Sequence, residues 1–553
     1  MKKTILAAFA VLATITLAAQ PFTTVVTPLE GEQWWGGVIN QGHLQPYADF
    51  NASRQHLLDD SKGFDASAKP YDLASMCSGG ATMPLFVSSA GRYIWSERPF
   101  RFSWKDGAVT IVSDYEKVEV VQAGKTLKEA YLEASRTHFA FDGRMPEKDM
   151  FTKPQFNAWI EMAIFGLTQQ VCENYVDGLA ASGFPCGVVM IDGGWMRQHG
   201  TLRFNEDVFP DPVHLFDKIH GNGWKGMLWM AYFISADNRA EYLDYRVSHP
   251  RKEPLMVRSK ERPDEECIVH WWSGKSVTMD LTDPRIFNIF TGRLKDFREK
   301  YHIDGFKFDG GNPDYFRGNG VFSQPWMEGC DFSHAYNLLG LEFPYHEFRS
   351  GFKTGGLPII QRLHDVDHSW ENLESVIYCI QAAGLMGYPY TFGDMVGGGL
   401  SGAFRPGKPF SHKLVVRSCE AQALMPMIQF SVAPWRVLTK EECDICRRYA
   451  ELHVQFAPYI MEQVEHASKT GEPIVRTMEY EFPGQGFARR MPQYMFGPRY
   501  LVAPVVTDDD CVTVELPAGR WKDDLGRVHK GPKVLKLENV PLDRLPYYER
   551  LGK

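Results

Sequence analysis

Over residues 21 to about 150, apolar and polar positions alternate with period two in short runs. In "RYIWSERPFRFSWKDGAVTIVSD" (92–114) the alternation breaks at Asp106-Gly107, a dipeptide that favours a tight hairpin. The pattern predicts an N-terminal β-sandwich-like domain over 20–150, with helix near "TLKEAYLEAS" (126–135). From about 155 the pattern changes to continuous apolar runs separated by stretches of helical period. The runs are "FNAWIEM" (156–162), "GVVMID" (187–192), "GMLWMAYFI" (226–234), "GFKFD" (305–309), "PIIQRL" (358–363), "YPYTFGD" (388–394), "MIQFSV" (427–432) and "PIVRTME" (473–479). Strands without alternation belong to a parallel sheet covered on both faces. Eight of them with helical crossovers predict an α/β fold, a (β/α)8 barrel over 151–482. A doubly wound open sheet is the alternative, but no Gly-rich phosphate loop follows the first run. Alternation returns in "YMFGPRYLVAPVV" (494–506) and "CVTVELPAG" (511–519), which predicts a small C-terminal β-domain over 483–553.

The first twenty residues, "MKKTILAAFAVLATITLAAQ", place two lysines before a short apolar run ending in small residues. That is the form of a secretory signal peptide over 1–19, cleaved after Ala18 or Ala19. No cysteine follows the cleavage zone, which argues against a lipoprotein anchor, and no later segment is apolar enough for a membrane span. The expectation is an exported, periplasmic or secreted protein. A net charge of −8 without a basic stripe argues against a nucleic-acid partner. Ten cysteines in 553 residues are too few for a disulfide scaffold. Cys443 and Cys446 form a C-x-x-C with no second Cys/His pair nearby, so two cysteines on one helix is preferred to a zinc or redox site. Aromatic residues make up 13% of the chain, which suits both a large core and a carbohydrate site.

Barrel active sites lie at the C-terminal strand ends. The second run ends in Asp192, the third carries Trp229, the fifth Arg362 and the sixth Asp394. On the fourth, Lys307 and Asp309 share one face because side chains alternate. Each has a bland account as a cap, an ion pair or core. Carboxylates on runs two, four and six with Lys and Arg between them are harder to explain as independent caps. Glycosidic cleavage needs two carboxyl groups, one ionised and one protonated. Lys307 beside Asp309 favours an ionised nucleophile, and Asp394, with no cation adjacent in sequence, suits the protonated acid. No G-x-S-x-G elbow and no H-E-x-x-H occurs. His364, Asp365, Asp367 and His368 in "RLHDVDHSW" have some metal-ligand character, but a polar loop is the ordinary reading; no metal and no cofactor are expected.

Together, "GFKFDGG", "GYPYTFGDMVGGG", "VMIDGGW", "HWWSGKSVTMDLTDP" and "TGEPIVRTMEYEFP" resemble glycoside hydrolase family 31 over about 155–510. The resemblance implies a retaining α-glycosidase on a (β/α)8 barrel with flanking β-domains, acting on an oligosaccharide or glycoside. It places the nucleophile on Asp309, the acid/base on Asp394 and sugar contacts on Asp192, Trp229, Trp272, Lys307, Arg362 and Trp159, the last on the first strand. Where glucosidases of the family carry Arg-x-His on strand seven, this chain has Gln429 and Ser431. That local form resembles the branch containing the myogenesis-regulating glycosidase, of α-galactosidase type. The expected substrate is therefore an α-galactoside, with an α-glucosidase, an α-xylosidase or an inactive glycan-binding barrel as alternatives.

Overall fold

The computed structural model describes residues 20–47, 71–74, 80–105, 108–235 and 255–552. The signal-peptide segment, residues 1–19, lies outside them. Two sheets make up the N-terminal region. One runs Phe22–Val26, Ala108–Ser113, Arg101–Lys105, Tyr71–Asp72; the other runs Gly351–Phe352, Ala81–Ser88, Arg92–Trp95, Glu119–Gln122, with Trp34–Val38 branching from Ala81–Ser88. Lys105 stands opposite Ala108; the turn expected at Asp106-Gly107 lies outside the described residues. Phe86 and Ile94 of one sheet pack on Phe102, Val109 and Ile111 of the other, which makes the sandwich core. Gly351–Phe352 comes from the barrel and pairs in parallel with Ala81 and Thr82, so the two units share a sheet.

The barrel has eight parallel strands: Gln155–Asn157, Val188–Ile191, Lys225–Ala231, Gly305–Asp309, Tyr345–Phe348, Gln361–Arg362, Thr391–Phe392 and Gln429–Phe430. The eighth pairs with the first, and Val396 N–H donates to Gln429 O at 2.8 Å where the seventh meets the eighth. The helices between them begin at the residues expected to cap. Asp211 and Asp283 each precede a proline at the first helical position, and Ser369 accepts from Asn372 N.

The sequence reading of eight strands holds in number but not in membership. Tyr345–Phe348 is the fifth strand and was not among the apolar runs, because it carries His346 and Glu347. Both are buried and satisfied, on opposite faces of the strand: outside, His346 Nε2 accepts from Ile360 N at 3.1 Å and its Nδ1 lies 2.8 Å from Phe343 O; inside, Glu347 accepts from Arg362 and Gln429. The run 473–479, taken as the eighth barrel strand, instead contributes Val475–Arg476 to the C-terminal six-stranded sheet, antiparallel to Tyr494–Phe496. Arg362 therefore stands on strand six, Asp394 follows strand seven, Gln429 opens strand eight and Ser431 follows it. Trp159 is likewise not on the first strand; it opens the helix Trp159–Phe165. Cys443 and Cys446 lie on the helix Lys440–Thr470, which starts with a Thr439–Glu442 capping box.

Candidate active site

Asp309 ends the fourth strand. Its Oδ2 accepts from Trp229 Nε1 at 2.9 Å and its Oδ1 from Gly310 N at 2.8 Å. Arg349 Nη2 lies 2.9 Å from the same Oδ1. Burial pushes this carboxyl up; Arg349 and then Lys307 outweigh it, with help from Trp229, and the result is a pKa below the ordinary value. The sequence assigned that task to Lys307 alone. Lys307 Nζ instead bonds Asp192 Oδ2 at 2.7 Å, an ion pair buried on both sides. In the parallel register Lys307 stands beside Glu347, so Arg349 follows on strand five as Asp309 follows on strand four.

Arg349 reaches a second carboxylate. Its Nη1 is 3.3 Å from Asp365 Oδ2 while Nη2 holds Asp309, so one guanidinium joins the two groups. Asp365 lies in the short loop between strand six and the Ser369 cap. Its Oδ1 accepts from Arg362 Nη1 at 2.9 Å, and its side chain keeps 24% exposure. Burial raises this carboxyl, and Arg362 followed by Arg349 overcomes it, holding the group well below the usual carboxylate range.

Asp394 is different. Its side chain is 1% exposed, and both oxygens are fully engaged. Oδ1 accepts from Arg362 Nη1 and Met395 N, both at 2.7 Å; Oδ2 accepts from Val366 N at 2.8 Å and Gly399 N at 2.6 Å. Burial outweighs the pull of Arg362 and pushes the carboxyl up to about 7, in the direction of the protonated group expected from the sequence. Each oxygen faces two N–H donors, which leaves neither turned towards a glycosidic oxygen. The glycines of "GDMVGGG" make this closure. Gly397 and Gly398 adopt φ of 87° and 98°, and a Cβ on Gly399 would meet Asp365 Oδ1 at 2.8 Å. The reading of Asp394 as the acid/base therefore needs correction: it is a buried clamp on Arg362 and on the Asp365 loop. The absence of a cation near it in sequence misled, because Arg362 arrives from strand six.

The remaining residues converge as follows. Asp192 Oδ1 accepts from Gly193 N at 2.7 Å, and Trp229 lies between it and Asp309 on the third strand. Trp272 sits at the turn of an antiparallel ribbon, Val269–Trp271 with Gly274–Thr278, inserted after strand three. It is 55% exposed, and Arg349 lies 5.2 Å from its ring centre. Trp159 Nε1 donates to Gly399 O at 2.9 Å, bracing the Asp394 loop. Gln429 and Ser431 turn away from this mouth. Gln429 Nε2 donates to Glu347 Oε2 at 2.7 Å, and Ser431 Oγ accepts from Ile160 N. The ring nitrogens of His368 lie 2.8 Å from Gly397 O and 3.1 Å from Ser411 O, which gives this histidine a structural role in the loop that carries Asp365.

This mouth has ion-paired carboxylates on strand four and after strand six, with indoles beside them. The model of the family 31 glycosyl hydrolase TIM-barrel domain matches residues 151–463, and that of the family 31 C-terminal domain matches 471–553. The chain belongs to glycoside hydrolase family 31. Among its relatives, the myogenesis-regulating glycosidase of Mus musculus is 28% identical over 427 residues, covering 75% of this chain and 58% of its own length. The 1,3-α-isomaltosidase of Kribbella flavida is 24% identical, covering 70% and 59%. This family 31 chain thus spans under two thirds of either relative. In fold it resembles the cycloalternan-degrading enzyme of Trueperella pyogenes, with a TM-score of 0.78 at 20% identity over 96% of this chain and 81% of the other.

Sequence reasoning missed Arg349, Glu347 and the placing of Asp365 in this family 31 site. A signal for the first two was present: Glu347-x-Arg349 repeats the spacing of Lys307-x-Asp309. Arg349 has a testable electrostatic effect. Removing a cation that touches both Asp309 and Asp365 raises both carboxyl pKa values. Arg349→Met will therefore move both limbs of the kcat/KM pH profile to higher pH, by about 1 unit. A profile that stays in place would rule out this electrostatic role.

Proposed function

We propose that this chain is an exported retaining α-glycosidase, with Asp309 as nucleophile and Asp365 as acid/base, cleaving terminal α-linked galactose. The observation that carries the reading is the Asp309–Arg349–Asp365 bridge at the barrel mouth. Retaining cleavage requires carboxyl groups about 5–5.5 Å apart, and both are gripped by one guanidinium. Asp309 is held as a carboxylate, which a nucleophile requires. Asp365 has one donor per oxygen and partial exposure, which leaves lone pairs for a glycosidic oxygen. The 3.3 Å contact to Arg349 is the longest in the cluster. A sugar seated between the carboxylates replaces it, and loss of that cation favours the protonated acid.

The sugar preference rests on strand eight. Gln429 spends its amide donors on Gln155 and Glu347, and Ser431, whose Oγ accepts from Ile160 N, is too short to replace the reach of an Arg or His side chain. Lys307 and Asp192 then remain as the polar pair on the floor. A site that lacks donors for an equatorial 4-hydroxyl loses its grip on glucose. The test is kcat/KM for p-nitrophenyl α-galactoside against the α-glucoside and α-xyloside at one pH. The galactoside is expected to be cleaved at least about 10-fold faster. A faster glucoside or xyloside moves the assignment to the second reading, which the isomaltosidase among the relatives favours. No turnover of any of them leaves a glycan-binding barrel.

A further inference from the structure

Beneath the carboxylates, a row of polar side chains crosses the barrel where branched aliphatic side chains ordinarily fill the layers. Gln155 on strand one accepts from Gln429 Nε2 on strand eight at 3.2 Å. The same Nε2 donates across the barrel to Glu347 Oε2 on strand five at 2.7 Å. Glu347 Oε1 then accepts from Arg362 Nε on strand six at 2.9 Å. All four side chains are buried. A buried ion pair is a poor source of stability compared with apolar packing, so this layer calls for another account.

Arg362 supplies it. Its Nε is fixed by Glu347 from below. Its Nη1 is shared among Leu363 O at 2.9 Å, Asp365 Oδ1 at 2.9 Å and Asp394 Oδ1 at 2.7 Å. Its Nη2 is buried and, among the described residues, has no hydrogen-bond partner. A buried guanidinium N–H left without an acceptor is costly, and a glycoside hydroxyl would satisfy it.

We propose that Glu347, backed by Gln429 and Gln155, is a positioning residue that fixes the Arg362 guanidinium, so that Nη1 orients Asp365 and the unpaired Nη2 receives a substrate hydroxyl. This rests on the glycosidase reading above. The titratable groups around Asp365 are Arg349 just after strand five, Arg362 on strand six, Lys307 and Asp309 on strand four and Asp394 after strand seven, with His364 on its own loop. Glu347 joins this cluster through Arg362 and also faces Lys307. Five carboxylates, counting Asp192, surround three cations. Neutralising Glu347 leaves every cation a partner, so Glu347→Gln should fold.

The test compares Glu347→Gln, Glu347→Asp and Gln429→Leu with the parent. Glu347→Gln is expected to lower kcat/KM by about 10–100-fold, the size of effect that misplacement by about 1 Å produces. It also removes an anion from the cluster, so the basic limb of the pH profile moves to lower pH. Glu347→Asp and Gln429→Leu keep the charge and should lose activity without moving that limb. A Glu347→Gln enzyme with the parent's kcat/KM overturns the proposal, and so does one that loses activity with an unmoved basic limb. If the parent cleaves no glycoside, the function reading has failed. A crystal structure of Glu347→Gln then decides the positioning separately, since an Arg362 guanidinium that keeps its place overturns it.

Discussion

Asp365→Ala will lose about 10²–10⁴-fold in turnover of glycosides with poor leaving groups, the usual contribution of general acid catalysis. A p-nitrophenolate leaves almost without protonation, so formation of the glycosyl-enzyme from that substrate will be nearly unaffected. The missing base then slows hydrolysis of the intermediate. Azide needs no base and will restore turnover. Asp394→Ala will behave otherwise. It strips Arg362 of a partner and leaves the amides of Val366, Met395 and Gly399 unpaired in a buried place. Breaking a buried pair from one side costs about 3–5 kcal/mol, so its thermal midpoint will fall. Its loss of activity will be the same for good and poor leaving groups, and azide will not help. Steady-state kinetics over a leaving-group series, with and without azide, and a thermal melt separate the two. Azide rescue of Asp394→Ala alone would return the acid/base role to Asp394.

The contrast between these aspartates shows where sequence reading ran short. "GFKFD" is legible because its charges interrupt an apolar strand, and that placed Asp309 correctly at the end of strand four. "YHEF" is the same kind of strand with its two polar residues adjacent. Two polar residues in four erased the apolar signal, and the strand that carries Glu347 towards Arg349 was passed over. The run at 473–479 was the opposite case. It is apolar enough for a barrel strand, but the helix Lys440–Thr470 carries the chain out of the barrel first. The domain order and the convergence of Asp192, Trp229, Lys307 and Arg362 depend on pattern alone and survive these errors. The partner of each charge does not. Lys307 chooses Asp192 over its strand neighbour, and Arg362 chooses Asp394 from 32 positions away. Those choices depend on which strands are adjacent, which periodicity does not encode.

Asp309→Ala will lower kcat for every leaving group by about 10⁴-fold or more, because no side-chain protonation can replace the missing bond to the anomeric carbon. The fold should tolerate the change: Arg349 keeps Asp365, and Trp229 loses a single acceptor. Stereochemistry then distinguishes the roles of the two carboxylates. In double displacement Asp309 attacks an α-glycoside from the β face, and water attacks the β-linked intermediate from the α face, so the first sugar released is the α-anomer. Azide added to Asp365→Ala meets the same intermediate and gives an α-glycosyl azide. Azide added to Asp309→Ala enters the space left by the carboxylate and displaces the leaving group once, giving the β-glycosyl azide. Proton NMR of the anomeric signals reads all three products. A β-anomer as the first product of the parent enzyme would mean that water, not Asp309, makes the first attack. Asp309 would then be the general base of an inverting enzyme, and the contact between its carboxylate and Arg349 would have to open to admit that water.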